Sequence, residues 1–189
     1  PLRRQRQMCI RDREGKKTVA YEIAEQSDWQ VPDVVAVSVG DGNIISGVYK
    51  GFKDLFDLGW IERMPRLLGV QAEGSAACYQ VWQAGSDPAM MEPINAQTVA
   101  DSIAADLPRD RVKAVRAVRE SNGAFVAVPD QAILEGIPRL AQLTGVFAEP
   151  AAASVYAGVR AALGEGHITP DESVVLLVTG NGLKDIRSA

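Results

Sequence analysis

The chain has 189 residues, 47% of them hydrophobic, with 20 basic and 24 acidic side chains and a formal net charge of −4. That size fits one globular domain of ~100–200 residues, and the acidic balance argues against a nucleic-acid partner. Cys9 and Cys78 cannot build a disulfide framework or a cysteine metal site, and no apolar run approaches the ~18 residues of a membrane span, so a reducing, cytoplasmic compartment is expected.

The first stretch, RRQRQMCIRDR (Arg3–Arg13), has five arginines in eleven residues and neither helical nor strand periodicity. It is too poor in serine and too little amphipathic for a transit peptide, and it lacks the apolar run of a secretory signal. A basic arm for phosphates is open to it on composition alone. It also resembles, residue for residue, the translation of a transposase-end adapter used in DNA sequencing. Residues 1–13 are therefore read as a non-native scar that packs against nothing, and 14–189 as the protein proper. Outside the scar, 15 basic residues face 23 acidic ones, a net charge of −8.

Gly15 to Gln26 places Val19, Ala20, Ile23 and Ala24 at helical spacing. VVAVSV (Val34–Val39) is a continuous β-branched run that predicts a strand buried on both faces. It ends in Gly40-Asp41-Gly42-Asn43, followed by a predicted helix from Ile45 to Leu58. A short strand follows at Leu67–Gln71, a helical stretch at Cys78–Gln83 and a loop at Gly85–Thr98. Pro108–Glu120 predicts a helix, Ala124–Val128 a strand, and Asp130–Leu143 and Glu149–Leu163 two further helices. SVVLLV (Ser173–Val178) predicts a third strongly buried strand, stopped by Thr179-Gly180-Asn181-Gly182. Strands alternating with helices of ten or more residues define an α/β fold with a largely parallel sheet.

In open α/β sheets, ligands bind beyond the carboxyl ends of the strands. Two strands here end in glycine-rich turns. In VGDGNIISG, the glycines let backbone approach an anion and the N–H groups opening the next helix point at it, so Gly40, Asp41, Gly42, Asn43 and Ile44 form a candidate phosphate cradle. A carboxylate repels phosphate, so Asp41 should turn its side chain away. The loop matches neither GxxxxGK[ST] nor GxGxxG, and a plain strand-to-helix connection explains it equally well.

The segments EGKKTVAYEIAEQ, VGDGNIISGVYKGFKDL, MPRLLGVQAEG, VFAEPAAASVYAG and VVLLVTGNGLKD, in that order, resemble threonine synthases. The resemblance runs from about Glu14 to Lys184. It implies the tryptophan-synthase-β-like fold of pyridoxal-phosphate enzymes of fold type II. It also implies conversion of O-phospho-L-homoserine and water to L-threonine and phosphate, in a homodimeric parent.

Carried onto this chain, the resemblance makes Gly40–Ile44 the cradle for the cofactor phosphate, although the family commonly has GNAGN where this chain has GDGNI. Thr179 matches the hydroxyl that hydrogen-bonds the pyridine nitrogen, which leaves that nitrogen largely unprotonated. Glu149 of FAEPA lies close to the ring or caps the helix that follows. The family's Schiff-base lysine, in a motif like S-x-K-x-R, is not in this sequence, so the chain is read as a C-terminal part that is inert by itself. Lys16, Lys17, Lys50, Lys53 and Lys184 are expected to be solvated, His167 to lie at the surface and Cys78 in the core or a loop. The same fold also serves threonine dehydratase, cysteate synthase and cysteine synthase relatives. A non-catalytic module binding a phosphorylated ligand through GDGN is the alternative from another class.

Overall fold

Val34–Ser38 (β1) is buried at all five positions, and each neighbouring strand runs parallel to it or to its neighbour. The computed structural model describes residues 10–188. Arg66–Ala72 (β2) pairs with β1 from Val34↔Arg66 to Ser38↔Val70, and Ala124–Val128 (β3) pairs with the far side of β2. Val174–Leu176 (β4) pairs with the opposite side of β1, Val34 facing Val174 and Ala36 facing Leu176. The strand order is therefore β3-β2-β1-β4. The chain moves outward from β1 to β3, then returns to the other flank of β1. That reversal puts the topological switch point at the carboxyl ends of β1 and β4, the place where such sheets bind ligands.

Side-chain alternation fixes the two faces of the sheet. Val35, Val37, Leu67 and Phe125 pack against Thr18–Gln26 (α1), Asn43–Asp57 (α2), Ala77–Gln83 (α3) and Arg111–Glu120 (α4). Val34, Ala36, Leu68, Val70 and Val126 face the other way, onto Pro150–Gly164 (α6), with Asp130–Thr144 (α5) packed outside it. A run of small residues, Ala151 to Ala153, then Ala157 and Gly158, lets α6 lie close to the strands. Fully burying each Val, Leu or Phe of these layers is worth roughly 1.5–3 kcal/mol.

Two expectations need correction. Ser173–Val178 is not a strongly buried strand: β4 spans three residues, all half-buried, because it is the edge of the sheet and only β1 covers one side of it. Continuous hydrophobicity predicts the strand but not its rank in the sheet. The second concerns residues 3–13, of which 3–9 lie outside the described residues. Residues 10–16 are helical. Ile10 is 49% exposed, but the Arg13 side chain is only 15% exposed, and its carbonyl oxygen sits where a Cβ on Gly47 would come within 3.0 Å. Arg13 therefore packs on α2. A turn at Lys17 separates this short helical segment from α1.

The lysines expected in solvent divide. Lys53 pairs with Asp57 one turn on, in the open. Lys17, by contrast, is half-buried between Asp54 and Glu14, and Lys50 also pairs with Glu14. These pairs staple the first helical residues to α2.

Candidate active site

β1 and β4 deliver their following turns to the same end of the sheet. A cleft of about 400 Å³ opens there, within the ~300–1,000 Å³ usual for small-molecule sites. Gly40–Ile44, Thr179 and Glu149 all line it, together with Asp12 and Ser102, which the sequence did not single out, and Lys16 and Lys184, which were expected in solvent.

The first wall is the β1–α2 turn. Gly42 takes a φ of 83°, a left-handed conformation that favours glycine, and a Cβ there would come within 2.7 Å of Ala114 Cβ. The first bond of α2 runs from Ser46 N–H to Gly42 O (3.3 Å), which leaves the Asn43, Ile44 and Ile45 N–H groups without an acceptor in the helix. The turn is held from behind. Gln71, fully buried, donates through Nε2 to Val39 O (3.1 Å) and accepts from Tyr79 N–H (2.9 Å). Ser46 Oγ reaches Asp110 Oδ2 (2.6 Å), and Asp110 N–H donates to Asp41 O (2.8 Å). Asp41 turns its carboxylate out, accepting from Arg109 N–H (3.2 Å) and lying 3.7 Å from Arg109 Nε. This is the orientation an anion in the cradle requires.

The second wall combines the β4 turn with the segment entering α6. Glu149 N–H donates to Gly180 O (3.0 Å) and Gly182 N–H to Phe147 O (2.8 Å), so 147–149 and 180–182 are tied into one unit. Thr179, just before this tie, is exposed at the cleft. Glu149 occupies the N-cap position of α6 yet makes no capping hydrogen bond. Its carboxylate, 5% exposed, accepts instead from Lys184 Nζ (3.0 Å) and Ser102 Oγ (3.4 Å). Of the two roles considered for Glu149, capping is not the one seen. Ser102 comes from the 101–103 turn, which Ser75 anchors by donating to Ile103 O (3.2 Å) and accepting from Ala105 N–H (3.0 Å).

The site fits a phosphorylated cofactor on its own features. Three free N–H groups point from the start of α2, and the Asp41 carboxylate is averted. Other candidates fall elsewhere. His167 lies at the opposite end of the sheet, where its carbonyl accepts from Arg66 at the start of β2 and its ring meets Trp82 edge-on at 5.9 Å. Cys78 is fully buried, and that burial pushes its thiol up to about 12, which keeps it unreactive. Among the described residues, no cluster of His, Cys, Asp or Glu could hold a metal ion, and no helix is long and apolar enough to cross a membrane.

Lys184 and Ser102 were missed for a reason. Lys184 stands five residues after Thr179 and could have been placed by proximity to that turn. Ser102 reaches the cleft only through a contact across 47 residues to Glu149, which carries no local signal.

A parallel sheet with a glycine-rich turn opening a helix at its switch point is the layout of a ligand-binding α/β protein. Residues 8–180 match the pyridoxal-phosphate dependent enzyme family, and the chain belongs to it. Its cofactor is pyridoxal phosphate. The chain is 41% identical over 172 residues to the threonine synthase of Methanosarcina acetivorans, covering 91% of this chain and 42% of that protein. It is 40% identical over 172 residues to that of Methanocaldococcus jannaschii, covering 91% and 42%. With the threonine synthase of Mycobacterium tuberculosis H37Rv it shares 38% over 173 residues, covering 91% and 45%. The chain thus spans less than half the length of these relatives. In three dimensions it resembles a fungal L-serine ammonia-lyase from Rhizomucor miehei, with a TM-score of 0.70 at 22% identity over 89% of this chain and 51% of that one. It also resembles the threonine deaminase of T.th., with a TM-score of 0.68 at 24% identity over 89% and 57%. These two share the fold.

Proposed function

We propose that this chain is part of a threonine synthase, and that its cleft holds pyridoxal phosphate. The observation that carries the reading is convergence: Gly40–Ile44 meets Glu149 and Thr179, which follow it by more than a hundred residues, in one cleft at the switch point. The phosphate rests on the N–H groups opening α2, where the positive end of the helix favours an anion. The Thr179 hydroxyl meets the ring nitrogen as a neutral partner, and Glu149 stands on the same wall.

When bound, the cofactor supplies an electron sink for carbanion chemistry at the amino acid's α carbon. This chain's residues supply what surrounds it. The cradle fixes the phosphate, Thr179 orients the ring, and the 147–149/180–182 unit closes one side against water. The whole protein converts O-phosphohomoserine and water to threonine and phosphate. The residue that holds the cofactor covalently and moves the protons is not among the residues of this chain, which is inert by itself.

Equilibrium dialysis of the chain against pyridoxal phosphate tests the cofactor reading, with pyridoxal as the control lacking phosphate. Saturable binding of the phosphorylated form, weakened roughly fivefold in Thr179→Val, is expected for the loss of one hydrogen bond of about 1 kcal/mol. Equal binding of pyridoxal and pyridoxal phosphate would remove the cradle from the argument.

A further inference from the structure

The cleft presents a contradiction. A site built to receive an anion contains a nearly buried carboxylate, Glu149, on the wall opposite the cradle. An uncompensated negative charge there would repel the ligand, because Glu149 is itself largely shielded from water and its charge is poorly screened. Asp41 escapes the problem by turning out to Arg109. Glu149 cannot turn out, because Gly180 and Ser102 enclose it.

We propose that Lys184 is the counter-ion that makes Glu149 compatible with anion binding, and so acts as a positioning residue for the cofactor; this rests on the cofactor reading above. Lys184 Nζ lies 3.0 Å from Glu149 Oε2 and 3.1 Å from Ser102 Oγ, although the lysine side chain is itself 63% exposed. An exposed lysine ordinarily gains little by folding back onto a carboxylate. Here the arrangement neutralises the wall and holds the carboxylate off the α6 N-terminus, whose free N–H groups compete for it. Among the described residues, the other cation on the cleft wall is Lys16, which shares its side with Asp12. Lys184 therefore balances the deeper charge.

The counter-ion role differs from a direct lysine–phosphate contact in one respect: removing Glu149 as well should undo the damage. The probe is pyridoxine 5′-phosphate, which has no aldehyde and so cannot bond covalently to any lysine. Its affinity for the intact chain is measured by fluorescence titration. Lys184→Met is expected to weaken binding about fivefold, Lys184→Gln equally, and Lys184→Arg hardly at all. The double variant Lys184→Met with Glu149→Gln should return to within twofold of the unaltered chain. If Lys184→Met binds as the unaltered chain does, or the double variant binds no better than Lys184→Met, the counter-ion role is wrong while the cofactor reading stands. If the unaltered chain takes up no pyridoxine phosphate, the cofactor reading falls and takes this assignment with it.

Discussion

Glu149 donates its backbone N–H to Gly180 O at 3.0 Å, and its own carboxylate fills the space a side chain on residue 180 would need. A Cβ on Gly180 would stand 2.0 Å from Glu149 Oε1 and 2.3 Å from Cδ. Gly180→Ala must therefore displace the carboxylate from Lys184, since the backbone tie keeps the two segments together. Overpacking of this kind costs about 1–3 kcal/mol. Thermal melting should show the loss, and Gly180→Ala combined with Glu149→Ala should recover most of it. An unshifted melting temperature in the single variant would mean that the two segments are not held as described.

A second tie stands behind the cradle. Ser46, 4% exposed, joins the first turn of α2 to Asp110 at the start of α4. Ser46→Ala leaves Asp110, whose side chain is 11% exposed, with Lys113 at 3.4 Å as its remaining charged partner. Losing a hydrogen bond to a charged, largely buried group costs roughly 1.5–3 kcal/mol. Urea denaturation should place Ser46→Ala below the unaltered chain by that amount, with Ser46→Thr closer to normal.

Much of this was legible in the sequence, for identifiable reasons. Val34–Val39 and Ala124–Val128 are short β-branched runs between turn formers, and both became strands within a residue of their expected bounds. The GDGN turn and Thr179 were placed at one sheet edge because both follow strands that had to be parallel. What was not legible depends on non-local packing. The edge position of β4 follows from the order β3-β2-β1-β4, which nothing in SVVLLV encodes. The half-burial of Lys17 depends on Asp54, 37 residues away, and the Lys184–Glu149 pair closes across a comparable gap.

Acid should weaken the tie between the amino-terminal ends of β1 and β4. Asp33 accepts from Ser173 Oγ (2.7 Å) and Ser173 N–H (2.8 Å), and Arg63 lies 2.9 Å away. The Ser173 side-chain hydrogen bond, then its backbone one, and the Arg63 charge hold the Asp33 carboxyl below its ordinary range. Glu14 is held at about 2, by Lys50 first and Lys17 second. A carboxyl whose pKa is lower folded than unfolded contributes stability above its unfolded value, and loses it as pH falls through its folded value. Stability should therefore drop between about pH 4.5 and pH 2, the interval spanned by Glu14. Asp33→Asn and Glu14→Gln should each flatten that drop when urea midpoints are followed against pH. A variant with the same slope as the unaltered chain would show that its carboxyl carries none of the linkage.

A lysine that holds pyridoxal phosphate for catalysis must be poised in the cleft and free to form a covalent bond. Among the described residues, the lysines on the cleft wall are Lys16 and Lys184, and Lys184 is bound to Glu149 and Ser102. Lys17, Lys50 and Lys53 are each held by carboxylates of the first helical residues or α2. General acid–base catalysis alone is typically worth ~10²–10⁴-fold, and without a positioned base even that is lost. The chain should bind pyridoxal phosphate yet form no threonine from O-phosphohomoserine. Borohydride reduction followed by peptide mapping should find label shared sparsely between Lys16 and Lys184. Stoichiometric label on one lysine, together with threonine formation that disappears when that lysine is replaced by alanine, would show that the chain carries its own catalytic base.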